Sequence, residues 1–335
     1  MKIMVTGVCG LIGSHLTDEL LSRGHQIIGI DNLSFGNMDN ISKASKDDNF
    51  TFINTDIRET NFWMLSNNCE DEVSCDCDLT DVDVVFHLAA YKKAPKDSID
   101  SSDVMLNNAD MIQSITQYVK QIDSLLIFTS TSDIYGNSKE FSEDESITIG
   151  PPDVERYSYA MSKFFDEQLL LNMVNEGKIK CIIPRIFGCF SERSNDGWSG
   201  GHVPLFIDNA LNNKDIIIHG DGKQTRSMCY VSDIVNGLVE LLNNRSILDG
   251  EIINIGSAEE MSVLDCAKLI IELCDSKSKI KFIKGKDVFG EYKEIKKRFA
   301  NTTKIKSLIG WKQKTKFTDS LKKVIALKYS NLNKG

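Results

Sequence analysis

Three glycines spaced three residues apart follow the first apolar segment of the chain. The stretch reads VTGVCGLIGSHL and lies between a predicted strand and the apolar periodicity of a helix. Without side chains, the backbone of such a turn can approach a pyrophosphate at the positive end of the helix. The turn therefore predicts a strand, a tight turn and a helix at the start of the chain, and the residues expected to contact a dinucleotide are Gly7, Gly10, Leu11, Ile12 and Gly13.

Short apolar segments alternate with amphipathic segments along the first half of the sequence. Helical patterns lie between most of the predicted strands, which are residues 2–5, 26–30, 50–54, 82–88, 124–128 and 180–183. This alternation is typical of an α/β protein whose parallel sheet carries helices on both faces. The predicted fold is therefore a doubly wound parallel sheet of the Rossmann type.

The alternation loosens after residue 184, and the next helices are predicted near 203–212, 232–243 and 262–274. We expect residues 1–184 to form the dinucleotide-binding domain. Residues 185–335 are expected to form mainly a smaller C-terminal α/β domain that binds the substrate. In an alternative division, a segment near 229–245 returns to the first domain.

Composition excludes several classes of protein. The chain has 335 residues, of which 41% are hydrophobic and 26% charged, and this balance suits a globular protein. A net charge of -9 argues against nucleic acid or an acidic membrane surface as a partner. No apolar run is long enough to span a membrane, and the N-terminal MKIMVTG does not follow the pattern of a signal peptide. A cytoplasmic location is therefore expected.

The nine cysteines suit a reducing compartment better than a disulfide framework. Cys69, Cys75 and Cys77 lie within an acidic, turn-rich segment at 67–83, which we interpret as a surface insertion. No fourth thiol or imidazole lies near them in the sequence, so no metal site is predicted.

Carboxylates follow the second and third predicted strands. Asp31, with Asn32 beside it, stands where a carboxylate would accept hydrogen bonds from the adenosine ribose and repel a 2'-phosphate, which predicts NAD rather than NADP. Asp56 and Ile57 are expected at the adenine edge. In the segment HLAA, the cofactor is expected to lie across Leu88, Ala89 and Ala90, where small side chains end the fourth strand. His87 is predicted to be a hydrogen-bonded core residue.

The fifth predicted strand ends abruptly in hydroxyl and carboxyl side chains, in the sequence FTSTSDIYG. Ligands of open α/β sheets bind beyond the carboxyl ends of the strands, so this segment is expected to face the nicotinamide. Tyr159 and Lys163 follow, four residues apart on one face of a predicted helix. An ammonium at this spacing is expected to lower the pKa of the phenol and make Tyr159 a base for a sugar hydroxyl.

These motifs resemble the extended short-chain dehydrogenase/reductase family, in its branch of nucleotide-sugar epimerases, dehydratases and decarboxylases. The resemblance covers nearly the whole chain and includes PRIFG, GDGKQTRSMCYVSD at 220–233 and KKRFANTTKIKSLIGW near the end. It implies that Thr131 binds the 4-hydroxyl of the sugar, Tyr159 removes its proton, and Lys163 binds the nicotinamide ribose. It also implies a homodimer.

The same resemblance implies further contacts. Arg226 and Arg298 would clamp the diphosphate through bidentate guanidinium contacts. Pro184 would contact the cofactor, Asp133 would join the catalytic set, and the remaining residues expected to bind the substrate, a UDP-sugar, are Lys92, Ser132, Gly188 and Val203.

Three departures from the family pattern bear on the reaction. Gly188 stands where the family usually has an Asn, Asp133 stands where the decarboxylases have a Glu, and Ser132 replaces an acid of the dehydratases. The expected activity is therefore that of a 4-epimerase resembling UDP-glucose 4-epimerase, through a 4-keto intermediate. The alternatives are a UDP-glucuronate decarboxylase, a 4,6-dehydratase, a 4-dehydrogenase or ketoreductase and, from another class, a noncatalytic NAD-binding regulatory protein.

Overall fold

The computed structural model describes residues 1–59, 79–92, 100–194, 201–284 and 295–332. Cys69, Cys75 and Cys77 lie outside the described residues. The helices are α1 (Leu11–Ser22), α2 (Ser101–Ile122), α3 (Ser158–Asn175), α4 (His202–Leu211), α5 (Val231–Asn243), α6 (Val263–Leu273), α7 (Thr303–Ile309) and α8 (Phe317–Leu332).

The strands of the main sheet are β1 (Lys2–Thr6), β2 (Gln26–Asp31), β3 (Phe50–Asn54), β4 (Val84–His87), β5 (Leu125–Phe128), β6 (Ser130–Thr131), β7 (Lys180–Ile186) and β12 (Ile252–Ile255). Their order is β12-β7-β5-β4-β1-β2-β3, with β6 also paired to β7. Every pairing in this sheet is parallel. The Rossmann-type parallel sheet predicted from the sequence is therefore confirmed.

Successive side chains of the strands enter two hydrophobic cores. Ile3 and Val5 pack with Leu16 of α1 and with α5, whereas Met4 belongs to the cluster that includes residues of α2 and α3. Successive strand residues point to opposite faces, and both faces are covered by helices. This is why the strands are continuous apolar runs in the sequence.

The remaining strands form three small sheets on the C-terminal side of the chain. These strands are β8 (Cys189–Phe190), β9 (Ile216–His219), β10 (Thr225–Ser227), β11 (Cys229–Tyr230), β13 (Glu260–Ser262), β14 (Ile280–Ile283) and β15 (Lys297–Arg298). β10 lies between β13 and β15, β8 pairs with β11, and β9 pairs with β14.

The main sheet extends beyond the predicted strands in two places. β7 continues to Ile186, past the expected end at residue 183, and β12 adds an edge strand from the second half of the chain. The helix that precedes β12, α5, packs against α1.

The division into domains at residue 184 remains a prediction. None of the described helices combines the length and the apolarity that a membrane span needs.

Candidate active site

A cavity of about 430 Å³ opens at the carboxyl ends of β1, β4, β5 and β7. Thr129 follows β5, Phe187 follows β7, and both line the cavity. The predicted site residues that also line it are Gly7, Gly10, Leu11, Ile12, Gly13, Leu88, Ala90, Lys92, Thr131, Ser132, Asp133, Tyr159, Gly188, Arg226 and Arg298. Residues far apart in the sequence are thus brought to one cavity at the sheet edge where parallel α/β folds bind ligands.

A second cavity of about 190 Å³ lies beside the first. It shares Gly7, Gly10, Leu88 and Ala90 with the larger cavity, so the two form adjoining parts of one cleft. The predicted cofactor residues that line it are Asp31, Asn32, Asp56, Ile57 and Ala89. The two cavities therefore separate the residues expected at the adenosine end from those expected at the sugar end.

The glycine turn has the close backbone approaches that its sequence predicts. Gly7 has a φ of 70°, and a Cβ built on it would lie 2.8 Å from the backbone nitrogen of Ala89. A Cβ on Gly13 would lie 2.2 Å from the carbonyl oxygen of Gly7. Side chains at either position would force β1, β4 and α1 apart. The bare turn fits the pyrophosphate of a dinucleotide.

Asp31 is held in place by backbone donors. Its carboxylate accepts hydrogen bonds from the N–H groups of Cys9 and Leu33, both at 2.9 Å. Burial raises the pKa of Asp31, although these two bonds oppose the shift. The carboxylate is therefore fixed beside the glycine turn, as the predicted ribose contact requires.

Arg58, which the sequence analysis missed, binds two residues that line the smaller cavity. Its Nε and Nη2 donate to the two oxygens of Asp56 at 2.8 and 2.6 Å, and Nη2 also lies 3.2 Å from the hydroxyl of Tyr91. The hydrogen bonds from Arg58 are the main cause that lowers the pKa of Asp56 to about 2. Asn32 donates to the same carboxylate at 2.8 Å. Asp56 is thus an ionised anchor for this end of the cleft.

His87 is a core residue, as predicted. Its side chain is buried, with Nδ1 2.7 Å from the hydroxyl oxygen of Thr6. Its ring stacks on Phe128, with 5.8 Å between ring centroids. Burial, followed by the charge of Lys163, lowers its pKa. A neutral, hydrogen-bonded imidazole in this position supports the sheet and does not face the cleft.

Tyr159 and Lys163 lie on one face of α3, but their electrostatic environment differs from the prediction. Tyr159 lines the larger cavity, whereas Lys163 is buried with Nζ 4.2 Å from the ring centroid of Phe128. Burial, Asp133 and Asp166 all raise the pKa of Tyr159. The lowered pKa that the sequence analysis expected for Tyr159 is therefore wrong, because burial and two carboxylates raise it.

Asp133 is engaged by two cations at the sugar end of the cleft. Arg298 donates a hydrogen bond to its carboxylate, and Nζ of Lys92 lies 3.3 Å from the other carboxylate oxygen. The same Lys92 ammonium lies 5.0 Å from the ring centroid of Tyr159. Arg298 therefore reaches the segment that carries Thr131, next to the position predicted for the sugar.

Arg226 lines the larger cavity with part of its guanidinium already bonded to the backbone. Its Nη1 donates to the carbonyl oxygens of Thr225 and Ile295 at 2.7 and 2.8 Å. His202, which the sequence analysis did not select, lies in the same part of the cavity at the start of α4. Burial, then the charges of Arg226 and Arg298, lower its pKa to about 3. This end of the cavity is cationic and suits a diphosphate.

Gly188 leaves no space for the Asn that the family usually has. A Cβ there would lie 2.6 Å from the sulfur of Met228 and 2.8 Å from the carbonyl oxygen of Ser227. Two other predicted residues, Pro184 and Val203, are buried and do not line either cavity. Their predicted contacts with cofactor and substrate are not visible in this arrangement and stay predictions.

Comparison with known proteins agrees with this geometry. Residues 3–256 match the model of the NAD dependent epimerase/dehydratase family. A UDP-N-acetyl-alpha-D-glucosaminuronate decarboxylase from Bacillus cytotoxicus is 33% identical over 326 residues, covering 97% of this chain and 96% of that protein. A putative UDP-glucose 4-epimerase from Methanocaldococcus jannaschii is 29% identical, covering 96% and 97% of the two chains.

A solved structure extends the similarity to three dimensions. The UDP-glucuronic acid 4-epimerase from Bacillus cereus, in complex with UDP-glucuronic acid and NAD, has a TM-score of 0.82 and 28% identity, covering 99% of this chain and 100% of that one. The matching residues include the glycine turn, the end of β6 and the start of α3. This chain is therefore an enzyme of the NAD dependent epimerase/dehydratase family.

Proposed function

We propose that the protein is a UDP-sugar 4-epimerase that acts through a 4-keto sugar. The observation that carries the proposal is the meeting of Thr131 and Tyr159 in one cavity with the glycine turn. A hydroxyl and a phenol placed beside the expected nicotinamide are the groups that oxidation at a sugar carbon needs. NAD is the cofactor of the family, and bound NAD supplies the acceptor for the hydride of C4.

The side chains of the cavity have separate roles in the proposed reaction. Thr131 hydrogen-bonds the 4-hydroxyl and Tyr159 takes its proton, while Arg226 and the cationic end of the cavity hold the diphosphate. Burial and two carboxylates disfavour ionisation of Tyr159, so the proposed proton transfer needs a positive charge that opposes them. We propose Lys163, on the same helix face, for that role. The proton then returns to the sugar oxygen when the keto group is reduced from the other side.

The environment of Asp133 supports epimerisation over dehydration. Return of the hydride requires only Thr131, Tyr159 and Lys163, whereas loss of water requires an additional acid near C5 and C6. Asp133 stands where that chemistry would be placed, but its carboxylate is used in ion pairs with Arg298 and Lys92. Ser132 offers only a hydroxyl.

A UDP-uronate decarboxylase is the second candidate. The most extensive support is the relative from Bacillus cytotoxicus, which is 33% identical over nearly all of both chains. In addition, Lys92 and Arg298 carry one positive charge more than Asp133, so a carboxylate on the sugar would be balanced there. Both candidates oxidise C4 first and differ in the fate of the keto sugar.

A panel of nucleotide sugars tests the proposal. The purified protein with NAD is incubated separately with UDP-glucose, UDP-glucuronate, UDP-N-acetylglucosamine and UDP-N-acetylglucosaminuronate, and products are resolved by chromatography and mass. We expect a product of unchanged mass with inverted C4. Release of carbon dioxide from a uronate would favour the decarboxylase, and a product lighter by water would indicate a dehydratase. No turnover of any of the four sugars would contradict both candidates.

A further inference from the structure

A buried polar network connects three elements that carry residues of the cleft. Arg185 of β7 forms a two-pronged ion pair with Glu167 of α3, with Nε 3.0 Å from Oε1 and Nη2 2.8 Å from Oε2. Both side chains are only 2% exposed. The third guanidinium nitrogen, Nη1, donates to the hydroxyl of Tyr135 at 3.0 Å. The guanidinium thus joins the helix of Tyr159 to the turn that follows Thr131.

The hydroxyl of Tyr135 continues the network into the second half of the chain. It donates to Oδ1 of Asn254 in β12 at 2.8 Å. Nδ2 of Asn254 in turn donates to the backbone carbonyls of Phe141 at 2.8 Å and Asn301 at 3.1 Å. Tyr135 is fully buried. Its hydroxyl joins the side chains of Arg185 and Asn254, whose backbones are also paired between β7 and β12.

Three members of the network lie close in sequence to residues of the cleft. Glu167 lies eight residues after Tyr159 on α3, and Tyr135 ends the helical turn Ser132–Tyr135 that begins directly after Thr131. Asn301 lies three residues after Arg298. The turn is also fixed at Gly136, where a Cβ would lie 2.2 Å from the carbonyl oxygen of Thr148. Displacement of Tyr135 would therefore be transmitted to Thr131.

Stability alone does not explain such a network. A buried ion pair loses so much hydration that well-packed apolar residues of similar volume are often as stabilising or more so. What the polar network adds is direction, because hydrogen bonds of fixed length join α3, the turn after β6 and β12. Catalytic groups displaced by about 1 Å can lose about 10²-fold in rate.

We propose that Tyr135 is a positioning residue, whose hydroxyl, held between Arg185 and Asn254, sets Thr131 against Tyr159 for oxidation of the sugar. It does not touch the substrate. The proposal rests on the proposed function only for the oxidation at C4, which the epimerase and the decarboxylase share. It extends the site to a residue that lines neither cavity.

Tyr135→Phe tests the proposal, with Tyr118→Phe as its matched control. Tyr118 is 3% exposed, and its hydroxyl donates to the carbonyl of Leu79 at 2.6 Å, away from the cleft. Each variant removes one buried hydroxyl and one or more hydrogen bonds. The readouts are Tm, KM for the nucleotide sugar, and the rate at which the absorbance of reduced cofactor appears in a single turnover.

We expect Tyr135→Phe to slow the oxidation about 10-fold or more with KM unchanged, and Tyr118→Phe to keep the wild-type rate, while Tm falls in both. Arg185→Lys keeps a positive charge opposite Glu167 but loses the donor to Tyr135, so it should slow the oxidation to a similar extent. If Tyr135→Phe does not fold, the rate of Arg185→Lys tests the positioning role instead. A wild-type rate in Tyr135→Phe, or equal slowing by Tyr118→Phe, would overturn the positioning role of Tyr135 and leave the proposed function standing. If the wild-type protein oxidised no sugar, both the proposed function and the positioning role would be overturned.

Discussion

At the scale of single residues, burial and two carboxylates raise the pKa of Tyr159. Asp133 approaches from the turn after β6, and Asp166 lies seven residues later on the same helix as Tyr159. Asp166 is 1% exposed, and its Oδ1 has no hydrogen-bond partner among the described residues. Burial and both carboxylates disfavour ionisation of the phenol, so the proposed role of Tyr159 as a base depends on a positive charge that opposes them, for which Lys163 is the proposed source.

Tyr159→Phe should abolish most of the oxidation at C4 and leave NAD binding nearly unchanged, because only the proton acceptor is removed. General acid-base groups contribute roughly 10²- to 10⁴-fold to rate, and a loss in that range is expected. Single-turnover absorbance of the reduced cofactor and a fluorescence titration with NAD measure the two quantities. Turnover close to that of the wild-type protein would assign the base to another residue.

Asp166→Asn should change how stability depends on pH. Burial is the main cause that raises the pKa of Asp166 from 3.8 to about 7, with Lys163 opposing and Glu167 adding to the shift. The folded protein therefore holds this proton more tightly than the unfolded chain. The resulting stabilisation is complete below the unfolded pKa and is lost as the pH rises through about 7.

Asparagine cannot ionise, so the variant should gain on the wild-type protein as the pH rises. We expect it to be more stable by on the order of 2 kcal/mol at about pH 8, with a much smaller difference at about pH 4. Urea unfolding at both pH values gives the comparison. Glu272→Gln, at an exposed carboxylate of α6, is the control and should show no such trend. A pH-independent difference between Asp166→Asn and wild type would contradict the assignment.

At the scale of elements, the start of α1 is defined by how closely it packs on β1. Gly10 and Gly13 lie at this junction but have different surroundings. A Cβ at Gly13 would meet the carbonyl oxygen of Gly7 at 2.2 Å, whereas one at Gly10 would meet the same atom at 3.1 Å. Packing within the protein therefore requires glycine at position 13, whereas at Gly10 the stronger constraint is the predicted approach of the dinucleotide.

Gly13→Ala and Gly10→Ala should consequently fail in different ways. Overpacking at Gly13 is expected to cost about 1–3 kcal/mol of unfolding free energy. Gly10→Ala should nearly keep the wild-type stability but bind NAD more weakly, since its methyl group would enter the space of the pyrophosphate. Thermal unfolding and NAD titration of both variants make the comparison. Equal loss of stability in the two would show that packing governs both positions.

At the scale of the whole molecule, α2 and α3 pack on each other and leave apolar side chains exposed. Met105 and Leu106 of α2 are 39% and 64% exposed, and Phe164 and Phe165 of α3 are 40% and 56% exposed. Exposed apolar residues grouped on neighbouring helices are typical of an interaction surface. The homodimer implied by the family resemblance remains a prediction, and these two helices are where we expect its two-fold interface.

Phe165→Glu should convert the expected dimer to a monomer, because the interface would bury an unpaired charge. Sedimentation equilibrium over a range of concentrations measures the mass. Phe282→Glu is the matched control, since Phe282 of β14 is 53% exposed and lies outside α2 and α3. A wild-type monomer at every concentration would refute the dimer, and a dimer that persists in Phe165→Glu would place its interface elsewhere.

The sequence alone was enough for features that depend on neighbours in the chain. The glycine turn, the carboxylate after β2 and the spacing of Tyr159 and Lys163 are local patterns, and each follows from the period of a strand or helix and from what a turn allows. Parallel order follows from the alternation of these elements. The fold, and the residues that these motifs contribute to the cleft, could therefore be predicted from the sequence.

Only the tertiary structure decided the charges and the partners of those residues. Arg298 and Asp133 are separated by 165 positions in the chain, and Tyr135 and Asn254 by 119, so no local pattern marks either pair. The pairing of β12 with β7 is likewise between segments far apart in the chain, so no local pattern predicts it. The pKa of Tyr159 depends on burial and on carboxylates whose distance from it is fixed by folding. The sequence therefore determined which groups are present, and packing determined which of them act on one another.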